Sequence, residues 1–252
     1  MCKSNKMNPI KSYGIVLFRE SRRSGGLEYL LVQRKTTMAY SEFIQGHYMN
    51  RGRDYIIKLL EGMTEDEQRT VLDSPFEALC QTYWMHSYRR SDADCKRAKK
   101  AYVSLLDHGG IVELLGCAAA CLPEREFGFC KGRRNNSSES EVDCALRELS
   151  EESGIDVAHV EVLDGKWAQE TFDGGNGVNY YHKYFLARLR DGVDVPGRKI
   201  PAPGSHAYRE IASIEWFAAD AVADKFCGWE TRRKAFEHMH QCAQAHARPK
   251  RF

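Results

Sequence analysis

Apolar residues dominate two short runs near the start of the chain. Tyr13-Gly14-Ile15-Val16-Leu17-Phe18 and Leu27-Glu28-Tyr29-Leu30-Leu31-Val32-Gln33-Arg34 are rich in β-branched and aromatic side chains, and Ser24-Gly25-Gly26 supplies turn chemistry between them, so a β-hairpin is predicted. From about Tyr40 the period becomes helical. Tyr55-Ile56-Ile57-Lys58-Leu59-Leu60 has helical spacing, and Thr64-Glu65-Asp66-Glu67 predicts a capping box, with Thr64 bonding the third helical amide while Glu67 reaches back. Residues 75–90 are rich in aromatics (Phe76, Tyr83, Trp84, Tyr88), and another apolar helix is predicted over 102–115. Beyond Pro123 the pattern returns to mixed α and β. A helix is predicted over 139–153 with Gly154 as its left-handed cap. Strands follow over 157–172 and 178–190, joined through Asp173-Gly174-Gly175-Asn176-Gly177, then a short strand over 211–217 and a final helix over 231–247. The expected organisation is an α/β domain, residues 1–37 and 126–252, interrupted after its first hairpin by a helical insert domain, 38–125.

Composition narrows the function. With 42% hydrophobic and 29% charged residues the chain can bury a core. Its 37 Lys and Arg against 35 Asp and Glu leave +2, which excludes polyanion binding driven by net charge alone. No eighteen apolar residues run consecutively, so no membrane-spanning helix is expected, and Met1-Cys2-Lys3-Ser4-Asn5-Lys6 leads into no apolar segment of a secretion signal. Nine cysteines scattered from Cys2 to Cys242 are no disulfide framework, and point to a reducing, intracellular compartment.

The main candidate chemistry lies in Arg147-Glu148-Leu149-Ser150-Glu151-Glu152-Ser153-Gly154-Ile155. Glu148, Glu151 and Glu152 stand at i, i+3 and i+4, so their carboxylates share one helical face, while Ala145 and Leu149 point elsewhere and anchor the helix to a sheet. Three carboxylates repel one another unless a cation joins them, and oxygen ligands suit Mg²⁺ or Mn²⁺. A solvated acidic face is the plainer alternative. Together, Gly132, Glu139 and this stretch resemble the Nudix box, whose pattern is G, five residues, E, seven residues, then R-E-U-x-E-E-x-G-U with U apolar. One departure stands out: six residues, not five, separate Gly132 from Glu139. Phe127-Gly128-Phe129-Cys130-Lys131-Gly132-Arg133 resembles the W-G-F-P-K-G-K stretch of Nudix mRNA-decapping enzymes, with Cys130 for proline and Phe127 for tryptophan. The stretches Tyr40-Ser41-Glu42-Phe43-Ile44-Gln45-Gly46-His47-Tyr48 and Met63-Thr64-Glu65-Asp66-Glu67-Gln68-Arg69 are similar to segments of decapping enzymes encoded by large cytoplasmic DNA viruses, which also carry a helical insert after the first hairpin.

The resemblance implies a Nudix α/β/α sandwich interrupted by an all-helical insert, and hydrolysis of a diphosphate bridge at a metal held by Glu148, Glu151 and Glu152. Arg147, expected on a different face from Glu151, would orient Glu148 or pair with Glu139. Lys131, Gly132 and Arg133 would bind phosphate, with Arg134 a further candidate. A fourth carboxylate, as base or metal ligand, falls to Glu210 by its match to an E-I-x-x-I-x-W segment, with Glu215 as competitor. Residues 89–100 hold six positive charges against two negative, and Lys96, Arg97, Lys99 and Lys100 are candidate RNA contacts. The C-terminal stretch adds Arg232, Arg233, Lys234, Arg248, Lys250 and Arg251 against Glu237. Tyr83, Trp84 and Tyr88 could stack on bases, although their helical spacing suits a core. Zinc on Cys117 and Cys121 with His238 and His240 is disfavoured by spacing, and an alanine-rich helix with small buried thiols is expected there. His238 and His240 read as one exposed and one part-buried residue of the final helix. Three functions remain open: a decapping enzyme acting on capped RNA in a host cytoplasm, a hydrolase of diphosphoinositol or dinucleoside polyphosphates, and a catalytically silent binding module that the intact acidic residues speak against. Metal identity and oligomeric state stay open.

Overall fold

The computed structural model describes residues 8–21, 25–84, 91–175 and 177–247. In chain order, β1 (Ile10–Glu20) and β2 (Leu27–Arg34) precede six helices: α1 (Met38–Ile44), α2 (Arg53–Glu61), α3 (Glu65–Asp73), α4 (Phe76–Trp84), α5 (Asp92–Val103) and α6 (Gly110–Cys117). Then come β3 (Phe127–Gly128), β4 (Lys131–Gly132), α7 (Glu141–Ser153), β5 (Val160–Asp173), β6 (Asn179–Leu189), β7 (Arg198–Lys199), α8 (Ala207–Glu210), β8 (Ile211–Ala218), α9 (Ala219–Lys225) and α10 (Glu230–Ala247). The chain divides into two compact units, one of residues 1–33 with 127–252 and the other of 34–126. Of the sequence expectations, Cys2, Ser24, Tyr88, Arg89, Arg90, Asn176, Arg248, Lys250 and Arg251 lie outside the described residues.

The first unit is built on a mixed sheet in the order β5-β6-β1-β2-β8-β7, with β3 on β2 and β4 on β1. β1 is antiparallel to β2 but parallel to β6, where Ile10 lies beside Tyr180 and Phe18 beside Arg188. Both faces of β1 are covered over residues 13–18. Tyr13, Ile15 and Leu17 pack with Cys144, Ala145 and Leu149 of α7, whereas Val16 and Phe18 pack with Val222 of α9 and Phe236 and Met239 of α10. This explains why β1 reads as a continuous apolar run rather than an alternating one. Gly14 allows β4 to approach: a Cβ there would stand 2.4 Å from the Cys130 carbonyl oxygen.

Beneath the α10 side lies a buried charge network. Glu170 of β5 has one oxygen, Oε1, that accepts from His182 Nδ1 at 2.8 Å, Tyr184 Oη at 2.8 Å and Arg232 Nε at 3.2 Å. Burial alone would raise the Glu170 pKa, but the donors from His182 and Tyr184 and the Arg232 charge outweigh it and hold it down at about 2. His182 is shifted down by its own burial, so it donates as a neutral ring. Arg232 is thus removed from the expected C-terminal basic patch; it is 6% exposed and tied to the sheet.

The second unit has its own core, which includes Phe43, Ile44, Tyr48, Ile56, Leu60, Met63, Val71 and Leu79. The capping box forms as expected, and Glu67 does more than close it. The buried carboxylate also accepts from the Thr37 amide at 2.9 Å and the Thr37 hydroxyl at 2.8 Å. Two expectations fail here. The helix over 102–115 is broken, because Gly109 (φ 91°) and Gly110 (φ 78°) take left-handed backbone and a 3₁₀ turn, Ser104–His108, separates α5 from α6. The alanine-rich segment is not a helix with buried thiols: α6 ends at Cys117, and Cys117 and Cys121 are exposed. Trp84 is buried and Tyr83 accepts from Gln45 at 2.9 Å, so both serve packing. In the first unit, the strand expected from 157 begins instead at Val160, after a 3₁₀ turn over Val157–His159 capped by Asp156.

Because the folded pKa of Glu170 is depressed, its stabilisation is complete above the ordinary carboxylate value and is lost as pH falls from about 4.5 to about 2, a contribution of about 3 kcal/mol. The lowered His182 pKa adds a loss of the same sign as pH falls below about 6.5. Denaturant melts across this range should show Glu170→Gln with a flattened acid limb. Arg232→Met should lose about 3–5 kcal/mol at neutral pH by stranding a buried carboxylate. An unchanged melt in Arg232→Met would contradict the network.

Candidate active site

α7 starts at Ser140, whose hydroxyl accepts from the Asp143 amide, and stops at Gly154 (φ 69°), whose amide donates to the Ser150 carbonyl at 2.8 Å. Cys144, Ala145 and Leu149 are fully buried against the sheet; Glu148 and Glu152 lie beside them toward β4, and Arg147 and Glu151 turn further out. The guanidinium of Arg147 organises this flank. Nε donates to Glu139 Oε1 at 2.8 Å, Nη1 to Glu148 Oε1 at 2.7 Å and to Glu151 Oε2 at 3.0 Å, and Nη2 to the Arg133 carbonyl at 2.9 Å. The expectation that Arg147 and Glu151 face differently is therefore wrong, since four residues is close to a full turn and places them side by side. Arg147 both orients Glu148 and pairs with Glu139, and its charge holds the Glu139 carboxyl below the usual range.

The loop with the extra residue between Gly132 and Glu139 is tied to the Glu139 carboxylate, whose Oε2 accepts from the Asn135 amide at 2.7 Å. Asn136 Oδ1 accepts from the amides of Ser138 and Glu139, both at 3.0 Å, which turns the exposed loop outward. Gly132 itself lies against Glu148: a Cβ at this position would stand 2.1–2.3 Å from its carboxylate atoms. The sequence reading missed the Asn136 turn, although an Asn two residues before Ser138 was the available signal.

Glu152 is gripped from β4, where the Lys131 amide donates to Oε2 at 3.1 Å, and the buried Cys130 thiol lies against the same carboxylate. Glu152 keeps a little surface exposure but is packed densely. Its burial, with the charges of Glu148 and Glu210, outweighs the Lys131 ammonium and pushes its pKa up to about 8. Burial also raises Glu148, Arg147 pulls it back, and Glu151 and Glu210 push it further. Glu210, at the end of the one-turn helix α8, is exposed, and its charge reaches both buried carboxylates. Glu215 is occupied elsewhere: it accepts from the Ser213 hydroxyl at 2.7 Å and pairs with Arg198 at 3.1 Å. Arg133 is exposed, while Arg134 sits 5.0 Å over the Tyr13 ring and 3.6 Å from Glu141.

Glu148, Glu151, Glu152 and Glu210 thus share one electrostatic neighbourhood, in which burial and neighbouring charges raise the pKa of Glu148 and of Glu152. An all-oxygen donor set under that strain fits a hard divalent ion. Among the described residues no three acidic, histidine or cysteine side chains form a closed ion cage, and none gathers at the disfavoured zinc position either. Arg147, not a shared centre, is what joins Glu148 to Glu151.

Gly132→Ala should leave the melting temperature nearly unchanged, because the Glu148 side chain can swing aside. The same displacement should cut turnover by about 100-fold, the scale of an ångström of misplacement. Full activity in that variant would remove Glu148 from the site.

The NUDIX domain family matches residues 110–239, more than half of the chain. The mRNA-decapping protein g5R of African swine fever virus (isolate Warthog/Namibia/Wart80/1980) is 28% identical over 215 residues, covering 84% of this chain and 86% of that protein. A putative mRNA-decapping protein of Acanthamoeba polyphaga mimivirus is 26% identical over 232 residues, 82% of this chain and 62% of its own length. Among solved structures, the binary complex of a C. elegans Ap4A hydrolase has a TM-score of 0.49 at 13% identity, covering 94% of this chain and 98% of its own. The M. smegmatis Nudix hydrolase RenU has a TM-score of 0.42 at 10% identity, covering 94% and 87%. With its acidic helix and strands β3 to β8 lying inside the matched region, the chain belongs to the Nudix family.

Proposed function

We propose that this Nudix protein is an mRNA-decapping hydrolase that cuts the triphosphate bridge of capped RNA and releases 7-methylguanosine diphosphate and 5′-monophosphate RNA. One observation carries the reading: the likeness to a viral decapping protein runs over 84% of the chain, not over the catalytic helix alone. The viral sources of these relatives support a host cytoplasm as the place of action.

Glu148, Glu151 and Glu152 are the residues that would hold Mg²⁺ or Mn²⁺, which when bound supplies charge neutralisation at the phosphates and acidifies water. The chain's own groups do the positioning. Arg147 fixes the rotamers of Glu148 and Glu151, and the Lys131 amide fixes Glu152. Lys131 and Arg133 are assigned to the anionic oxygens of the bridge, with Gly132 giving them close approach beside Glu148. Glu210, outside the helix and exposed, is assigned to take the proton of the attacking water at its carboxylate. In-line displacement needs little beyond such placement and charge stabilisation.

The unit of residues 34–126 is proposed to be a helical insert domain that binds the RNA body. Its described elements are helices and 3₁₀ turn, with one isolated bridge between Thr64 and Leu122. On α5, Lys96, Lys99 and Lys100 are exposed at i, i+3 and i+4. Arg97 points differently: it pairs with Asp94 at 2.9 Å and its Nε is enclosed, so we leave it out of the RNA contacts.

Incubation with Mg²⁺ or Mn²⁺ on capped RNA, free cap dinucleotide and diphosphoinositol polyphosphate tests the reading. Turnover of RNA-linked cap is expected, whereas turnover of diphosphoinositol polyphosphate alone, or of nothing, rejects it. Glu151→Gln and Glu152→Gln should each lose more than about 100-fold in rate. Stability should hold or rise in Glu152→Gln, since burial already disfavours that charge. In the insert, Lys96→Ala, Lys99→Ala and Lys100→Ala combined should weaken capped RNA binding and lower its salt slope by about 0.7 per lost contact. Hydrolysis of a cap substrate without an RNA body should stay at the original rate, and an unchanged salt slope would discard the patch.

A further inference from the structure

The first unit presents a second surface that the catalytic residues do not use. On the α7 side of the sheet, Trp167, Gln169 and Thr171 of β5 face the same way as the odd-numbered side chains of β6 and β1, and α7 reaches these outer rows through Glu141 of its first turn. Register sets Thr171, Tyr181 and Lys11 in one row, and Gln169, Lys183 and Tyr13 in the next. Cations and rings alternate across these rows. Lys11 Nζ lies 6.0 Å from the Tyr181 ring centre, Lys183 Nζ 4.6 Å from Trp167, and the Arg134 guanidinium 5.0 Å from Tyr13. Glu141 opens α7 beside them, pairing with Lys183 at 2.7 Å and Arg134 at 3.6 Å, and Asp173 closes the far end of β5. Trp167 is 45% exposed, Lys11 and Gln169 are exposed and Tyr181 is half-buried.

A tryptophan left in water next to a lysine is not a core residue, and with the half-buried Tyr181 and exposed Lys11 it forms an accessible row above the buried Tyr13. The pattern suits a partner that is flat, aromatic and anionic at regular intervals. Single-stranded nucleic acid has that chemistry, because bases stack on rings while phosphates meet the cations. The surface is also continuous with the active-site loop: Arg134 follows Arg133, whose carbonyl is held by Arg147. Building on the decapping reading, we propose that this open face of β5, β6 and β1, centred on Trp167, Tyr181 and Lys11, is a stacking platform for the single-stranded RNA that leaves the catalytic carboxylates.

The test uses the full chain and an uncapped single-stranded RNA oligonucleotide with a 5′-hydroxyl, so binding is read without hydrolysis. Trp167→Ala and Tyr181→Ala should each weaken binding at least about fivefold, the lower end for loss of one base–aromatic stack. Trp167→Phe, which keeps a ring, should recover most of the affinity and identifies stacking rather than misfolding as the cause. Lys11→Ala should lower the salt slope by about 0.7. The turnover rate on a short capped substrate should not change in any of these variants. Unchanged RNA affinity in the Trp167→Ala, Tyr181→Ala double variant overturns the proposal. So does a change of oligomeric state in place of RNA affinity, which would make the face a contact between copies. If the unaltered protein binds this RNA but cleaves no cap, the decapping reading fails and the platform stands. If it cleaves capped RNA while the double variant binds as before, the platform fails alone.

Discussion

A single guanidinium reconciles the charges of this protein's acidic helix. Glu139, Glu148 and Glu151 are brought within reach of one guanidinium by helix and loop, and the Glu151 charge disfavours ionisation of Glu148. Arg147 spends its donors on all three and on the Arg133 carbonyl, and so ties the α7 flank to the loop that precedes it. Take the donors away and the carboxylates would relax apart toward solvent, and the loop would lose its anchor. Glu152 lies beyond this hub and depends on the sheet instead, through the Lys131 amide of β4. Site geometry therefore rests on two attachments of different kinds, one ionic and adjustable, one fixed to backbone.

The second attachment shows how packing reaches the chemistry. β4 is only two residues long, and what holds it close is the missing side chain at Gly14, together with the Ile15 amide donating to the Cys130 carbonyl at 3.1 Å. Gly132 works the same way from the other side, leaving space that the Glu148 carboxylate fills. Two glycines, one in β1 and one in β4, thus set how near two acidic groups come to the strand that presents Lys131.

Much of this was legible in the sequence because it is local. The capping box at Thr64 and Glu67, the Gly154 cap and the apolar continuity of β1 are written within a few residues each. The spacing of Glu148, Glu151 and Glu152 located the helix, but the same arithmetic applied to Arg147 and Glu151 was misread, although the four-residue offset was plain. The failures elsewhere have physical causes. Gly109 and Gly110 broke a helix that hydrophobic spacing alone supported, since left-handed backbone outweighs apolar periodicity. Arg232 read as part of a basic surface because its partner, Glu170, is sixty-two positions earlier and on another element. Likewise the cation–ring pairs of the open sheet face join β1 to β6 and β5 to β6, a register no local pattern reports.

The parallel pairing of β1 with β6 has a consequence for the order in which the chain can fold. Ile10 lies beside Tyr180, 170 positions on, so the centre of the sheet cannot close until most of the polypeptide has left the ribosome. Before then the hairpin of β1 and β2 has nothing to cover its apolar faces, whereas residues 34–126 carry a core of their own with short-range contacts. Local helical contacts form faster than distant strand pairings. The nascent chain thus has a folded middle while both ends of the catalytic unit wait for each other, and the long loop that their pairing must close is already shortened by a compact body.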